Sequence, residues 1–150
     1  MAISVKIKID GLKKLSKNFQ KSPATVYNGL TKAIGISALK LTSNIKDETP
    51  TNTGDLKRSI RTTFARLKAT VAPHKNYAIY VSEGTRPHEI RPKTKKALFW
   101  KGALHPVRVV HHPGTKGVPF MDIGLRKSVG EIERVFKKEV DKILTIIAKK

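Results

Sequence analysis

Five histidines, His74, His88, His105, His111 and His112, first invite a chemical reading. Imidazoles at fixed helical or hairpin spacing, in the company of carboxylates, hold zinc and related metals. His111 and His112 are adjacent, so on a strand they face opposite ways. His105 and His111 can meet across a hairpin, but no carboxylate lies near them in sequence. Carboxylates are scarce, and those weighed for chemistry are Asp47, Glu48, Asp55, Glu83, Glu89 and Asp122. Glu83 with His88 or His112 is the one acid–base pairing to weigh, and a small metal-dependent nuclease is the enzyme class it would serve. There is no Gly-x-Ser-x-Gly elbow. Gly114-Thr115-Lys116-Gly117 lacks the spacing of a phosphate-binding loop. The chain has no cysteine, which excludes disulfides and thiolate catalysis. The expectation is therefore a protein that is not an enzyme, with no cofactor and no metal, whose histidines sit in loops and at strand ends.

Charge is the dominant feature. The 150 residues carry 31 basic and 11 acidic side chains, a net +20. Successive thirds of the chain hold +6, +8 and +6, so no single basic tail accounts for it. Between residues 86 and 116, Arg86, Arg91, Lys93, Lys95, Lys96, Lys101, Arg108 and Lys116 face only Glu89. Such an excess on one small domain is either a solvated surface or a surface for polyanions: nucleic acid, an acidic membrane or an acidic protein. No apolar run is long enough to span a bilayer, and Met1–Asp10 has no apolar leader core. Signatures of RNA-recognition and zinc-finger modules are absent. Trp100 and the tyrosines are expected to pack in the core or sheet rather than stack on bases.

The elements that would position these residues follow from periodicity. Ile3, Val5, Ile7 and Ile9 alternate with Ser4, Lys6 and Lys8, a half-buried strand ended by Asp10-Gly11. Leu12 to Lys21 reads as a short helix with Leu12, Leu15 and Phe19 on one face. Ser22-Pro23 is a start signal for a second helix, carried by Val26, Leu30, Ile34, Ala38, Leu41 and Ile45 and stopped before Pro50. Gly29 and Gly35 each cost that helix about 1 kcal/mol relative to Ala unless another backbone packs close. Thr53 is expected to cap a short helical turn over Gly54–Ser59, with Asp55 at its positive end. Ile60–Phe64 and Ala69–Ala72 suit a hairpin, and Tyr77–Val81 suits strand or helix. Extended loops are expected at 84–95 and 101–118, with strands at Lys96–Trp100 and Pro106–His111 joined across Lys101–His105. Leu125, Val129, Ile132, Phe136, Val140, Ile143 and Ile147 form one stripe of a helix over 121–148, with Glu133 placed four residues before Lys137. Together these predict a single α+β domain over 1–150: an antiparallel sheet of about four to five strands, packed by a long helix in the N-terminal half and a long C-terminal helix.

Three segments carry a resemblance. They are Thr49-Pro50-Thr51-Asn52-Thr53-Gly54-Asp55-Leu56-Lys57-Arg58-Ser59-Ile60, then Tyr77-Ala78-Ile79-Tyr80-Val81-Ser82-Glu83-Gly84-Thr85, then His112-Pro113-Gly114-Thr115-Lys116-Gly117-Val118-Pro119-Phe120. In order and spacing they resemble the tail-completion, or head–tail joining, proteins of long-tailed bacteriophages and prophages, over roughly residues 49–125. One departure is plain: the family pattern puts a glutamate directly after the valine, whereas Ser82 follows Val81 here and Glu83 comes next. The resemblance implies a non-enzymatic virion protein of the neck or tail, in the host cytoplasm before assembly. It implies a ring of the chain's own copies, a hexamer being one size such a ring can take, between the tail-tube or tail-terminator protein and the head connector, with no membrane partner. Thr53, Gly54, Leu56, Tyr77, Gly84, Thr85, Pro113, Gly114, Pro119 and Phe120 would be its structural motif. Arg86, Arg91, Lys93, Lys95, Lys96, Arg108 and Lys116 would belong to its assembly surface. Their charge would meet acidic faces of adjoining rings in preference to DNA in a lumen, because a strongly positive channel would grip the phosphates. The alternative function is a non-enzymatic basic nucleic-acid-binding protein.

Overall fold

The computed structural model describes residues 5–7 and 23–148. The expected helix at Leu12–Lys21, the cap Ser22 and the strand residues Ile3 and Ile9 lie outside the described residues. In chain order the elements are β1 (Val5–Ile7), α1 (Pro23–Glu48), α2 (Asp55–Ser59), β2 (Ile60–Ala65), β3 (Lys68–Pro73) and α3 (Ala78–Glu83). There follow β4 (Gly84–Thr85), β5 (His88–Ile90), β6 (Val110–His112), β7 (Thr115–Lys116) and α4 (Phe120–Ala148). The class is mixed helix and strand, with one long helix in each half of the chain.

Pro23 is the first residue of α1, where its fixed φ suits the helix and its missing N–H costs nothing. Glu48 ends it two residues before Pro50. All six periodic positions, Val26, Leu30, Ile34, Ala38, Leu41 and Ile45, are buried. α1 and α4 run antiparallel. The start of α1 meets the end of α4, where a Cβ on Gly29 would lie 2.6 Å from Ile143 Cδ1. The end of α1 meets the start of α4, where a Cβ on Gly124 would lie 2.6 Å from Ile45 Cα. Between them Asn44 Nδ2 donates to Ser128 Oγ at 2.9 Å, and Lys40 pairs with Glu131 at 3.5 Å.

This close approach reorders the expected face of α4. The buried residues at its start are Phe120, Met121, Gly124 and Ser128, at spacings that let the two backbones nearly touch. Small side chains form the seam, so Leu125 is rolled to half-burial and Val129 is 45% exposed. The apolar stripe placed Val129 in the core; the Gly124-to-Ser128 step displaces it. Glu133 and Lys137 make no ion pair among the described residues. Glu131 reaches α1 instead, towards Lys40 and Asn44.

The sheet differs from the four to five strands expected. Among the described residues it has three, in the order β1-β3-β2, all antiparallel, with Val5 opposite Val71 and Thr62 opposite Val71 on the other side. Central β3 alternates, with Ala69, Val71 and Pro73 buried. β2 buries only Ile60, and Phe64 is exposed. The hairpin turns at Arg66-Leu67, with Leu67 at φ 51°. One core cluster joins Leu41 and Ile45 of α1, Leu56, Ile60, Val71 and Ala78 to Phe120 and Met121 of α4. Two smaller clusters continue it along α1, one around Val26, Leu30 and Ile143 and one around Ile34, Ala38 and Ala69.

The two glycines of α1 have opposite reasons to exist. Gly29 accommodates Ile143, whereas a Cβ on Gly35 would meet nothing within 4 Å. Gly35→Ala is expected to raise stability by about 1 kcal/mol through helix propensity alone. Gly29→Ala is expected to return less than that, because Ile143 must move. Urea unfolding of the two variants, read as midpoint shifts at constant slope, checks the contrast.

Candidate assembly surface

From Ile79 to Pro119 no residue is buried, while Ala78 and Phe120 anchor the two ends of this stretch in the core. The segments expected as loops at 84–95 and 101–118 contain four short strands. β4 pairs with β7, Gly84 opposite Lys116 and Thr85 opposite Thr115. β5 pairs with β6, His88 opposite His112, Glu89 opposite His111 and Ile90 opposite Val110. All five pairs share one register. The two ribbons are therefore a single antiparallel hairpin arm, interrupted once. Continuing the register places Pro87 across from Pro113, and neither has an N–H to donate, so the ladder stops at that rung.

At the root, three glycines let backbone meet backbone. A Cβ on Gly84, at φ 83°, would lie 2.2 Å from the Thr115 carbonyl oxygen. One on Gly114, at φ 90°, would lie 2.3 Å from the Thr85 oxygen, and one on Gly117 2.3 Å from the Glu83 carbonyl carbon. Val118 N–H donates to the Val81 carbonyl at 2.9 Å, tying the returning strand to α3. Pro119 and Phe120 follow directly, and Phe120 is fully buried.

Beyond β5 and before β6 the strands expected at Lys96–Trp100 and Pro106–His111 are reduced to a bridge between Leu98 and Val107 and to β6 itself. Ala103 N–H donates to the Trp100 carbonyl at 3.0 Å, closing a turn whose third residue, Gly102, sits at φ 101°. Around this tip Phe99 is 68% exposed, Trp100 50% and Leu104 98%. Trp100 is thus not core packing, and Tyr77 and Tyr80 are exposed as well.

The seven cations assigned to the assembly surface all lie on the arm, and all are exposed: Arg86 beside the proline rung, Arg91, Lys93, Lys95 and Lys96 after β5, Arg108 before β6, and Lys116 opposite Gly84. Glu89 is satisfied within the arm, accepting from Arg91 Nη2 at 2.7 Å and lying 3.5 Å from His111 Nδ1. The Arg91 guanidinium holds the Glu89 carboxyl below the usual glutamate range, with a smaller contribution from His111. A lowered folded value means the pair contributes above the ordinary glutamate range and is lost as pH falls through the folded value. Arg91→Gln is therefore expected to raise the Glu89 titration midpoint, read from its side-chain carboxyl resonance. An unchanged midpoint would show that the pair does not exist in solution.

His88, His111 and His112 are neighbours in the paired strands β5 and β6. His88 and His112 stack with ring centroids 5.1 Å apart, Gly114 N–H donates to His112 Nδ1 at 3.0 Å, and His88 Nδ1 donates to the Arg86 carbonyl at 2.8 Å. Among the described residues no three His, Asp or Glu side chains are grouped to hold a metal ion. These cross-strand pairs, the glycine Gly117 and the tip residues Phe99 and Leu104 are what the sequence reading missed.

The three motif segments converge. Leu56 is buried in the main core. Gly54, at φ 77°, occupies the cap position of α2 where Thr53 was expected. Thr53 instead accepts the Asp55 N–H at 3.4 Å and donates to its carboxylate at 2.9 Å. That carboxylate also accepts from Arg58, the main cause of its lowered pKa. An open cleft of about 260 Å³ lies between Pro50–Leu56 of the first segment and Tyr77 and Val81 of the second. The second and third segments then meet at Gly84, Thr85, Gly114 and Gly117. Among the described residues no helix is long and apolar enough to cross a membrane. No protein-family description, curated protein or solved structure matches the chain.

Proposed function

We propose that the chain is a structural subunit of a phage neck, forming a ring at the head-proximal end of the tail and joining it to the head connector. The observation that carries this reading is the meeting of all three motif segments around the root of an arm with no buried residue. A lone globular domain gains nothing from such an arm, since ordering it costs backbone entropy without apolar burial. A subunit gains a handle. Ring members bind head to tail through unlike, complementary patches, and an arm on one side of each copy supplies one of the two. The arm stays on the molecule because its root is fixed by glycine contacts and by Phe120. No catalytic role is assigned to any residue.

The test is the mass of the purified full chain by light scattering, alone and with the tail-tube or tail-terminator protein and the connector protein of the same virion. A closed oligomer, or a defined stack with either protein, is the expected result. A monomer that binds neither overturns the proposal.

A further inference from the structure

We infer that the arm binds duplex DNA, its cations lying along phosphates and its apolar tip pressing into the minor groove as a wedge. This goes beyond the neck reading and does not depend on ring formation, since the isolated chain already carries the arm.

Three observations lead there. Over residues 84–90 and 110–116 the arm is an antiparallel two-stranded ribbon, an element that other proteins lay along DNA in either groove. Its eight cations face one carboxylate, and that carboxylate is already paired with Arg91. Its tip presents Phe99, Trp100 and Leu104 to solvent on a tight turn, flanked by Lys96 and Lys101. Apolar side chains at the end of a basic element are what proteins insert between base steps, where unstacking is repaid by phosphate contacts.

Other occupants fit less well. Pairing of the arm with the arm of a second copy is opposed, because both are positive. An acidic protein face offers carboxylates on one side, whereas the cations here occur on both strands and around the tip. A polymer charged all along its length matches that spread better. The expected objection, that a positive element would grip passing DNA, has a physical answer: phosphate contacts made by counterion release let a protein slide along the duplex.

The experiment uses the full chain and a fluorescein-labelled duplex of about 25 base pairs, titrated at several salt concentrations. Removing one cation from a phosphate should lower the log–log salt slope by about 0.9. Lys95→Gln, Lys96→Gln and Lys101→Gln combined are expected to lower it by about 2 to 3 and to weaken binding at least about tenfold at moderate salt. Lys137→Gln, Lys138→Gln and Lys142→Gln remove equal charge from α4 and are expected to change the slope by less than about 1. Leu104→Ala should weaken binding with the slope unchanged. Trp100 is the only tryptophan, so its emission reports the tip directly and should be quenched by the duplex. Equal losses from the arm and α4 sets, or Trp100 emission that polyglutamate shifts and the duplex does not, overturn the inference. The second result assigns the arm to an acidic protein. All six lysines are exposed, and unchanged melting curves show that folding is not what is being read.

Discussion

Gly114→Ala is expected to release the arm while leaving the helical body folded. At φ 90° an alanine costs about 1–3 kcal/mol from backbone conformation alone. Its Cβ would also sit 2.3 Å from the Thr85 carbonyl oxygen and 3.0 Å from the Arg86 carbonyl carbon. Those are backbone atoms and cannot step aside as a side-chain end can. The opposing gain is small. A ribbon hydrogen bond contributes about 1 kcal/mol net, and the proline rung shortens the ladder at the same place. The clash therefore exceeds what the root of the ribbon can return. Hydrogen exchange should show protection removed from Gly84–Ile90 and Val110–Lys116 and retained in α1 and α4. An arm with unchanged protection would show that the root is not held by this contact. Gly102→Ala is the comparison, because its Cβ would meet nothing within 4 Å and only the turn should suffer.

Phe120→Ala is expected to destabilise the whole chain by about 3–5 kcal/mol, the range for emptying a buried aromatic site. Phe120 is fully buried where α1, α2, β2, β3 and α3 converge, and it is the first residue of α4. Its backbone N–H also donates to the Val118 carbonyl at 2.7 Å, so the side chain anchors the end of the arm and the beginning of the helix together. Against a typical total of about 5–15 kcal/mol, such a loss brings the protein close to unfolding. Urea denaturation followed by helical circular dichroism measures it. Val118→Ala, at a position 38% exposed, should cost far less. Equal costs at the two positions would contradict the placement of Phe120 in the core.

α1 was legible because its boundaries are local chemistry, proline at each end, and its buried face follows one period. α4 was legible in extent but not in orientation. Large apolar residues mark a stripe, while the true seam runs through Gly124 and Ser128, whose smallness is visible in sequence but carries no hydrophobic signal. The shortfall in strands has a similar cause. Lys96–Trp100 and Pro106–His111 have strand-like composition, yet Gly102, Pro106 and the lysines leave no apolar face to bury, so they pair with each other only at the Leu98–Val107 bridge. The segments 84–95 and 101–118 were legible as extended contact loops, but their pairing into one ribbon was not. Its pairing joins residues far apart in sequence, its prolines break the alternation that marks strands, and neither face is apolar. Gly84, Gly114 and Pro113 were legible as loop markers and as positions of the resemblance; the reason for the glycines is the closeness of the two strands at the root. Exposure of Trp100 ran against the usual fate of a lone tryptophan, and only the turn at Gly102 explains it.

The facing prolines of the arm give it a wrist. Below Pro87 and Pro113 the strands are clasped by glycines; above them they are clasped again by the histidine and glutamate pairs. At the wrist neither proline has an amide to bridge the strands, so bending there breaks no ladder hydrogen bond at that rung. Identical subunits with such a joint can reach targets set at unequal distances or angles, and the misfit is taken up in one flexible rung instead of being passed into the helices.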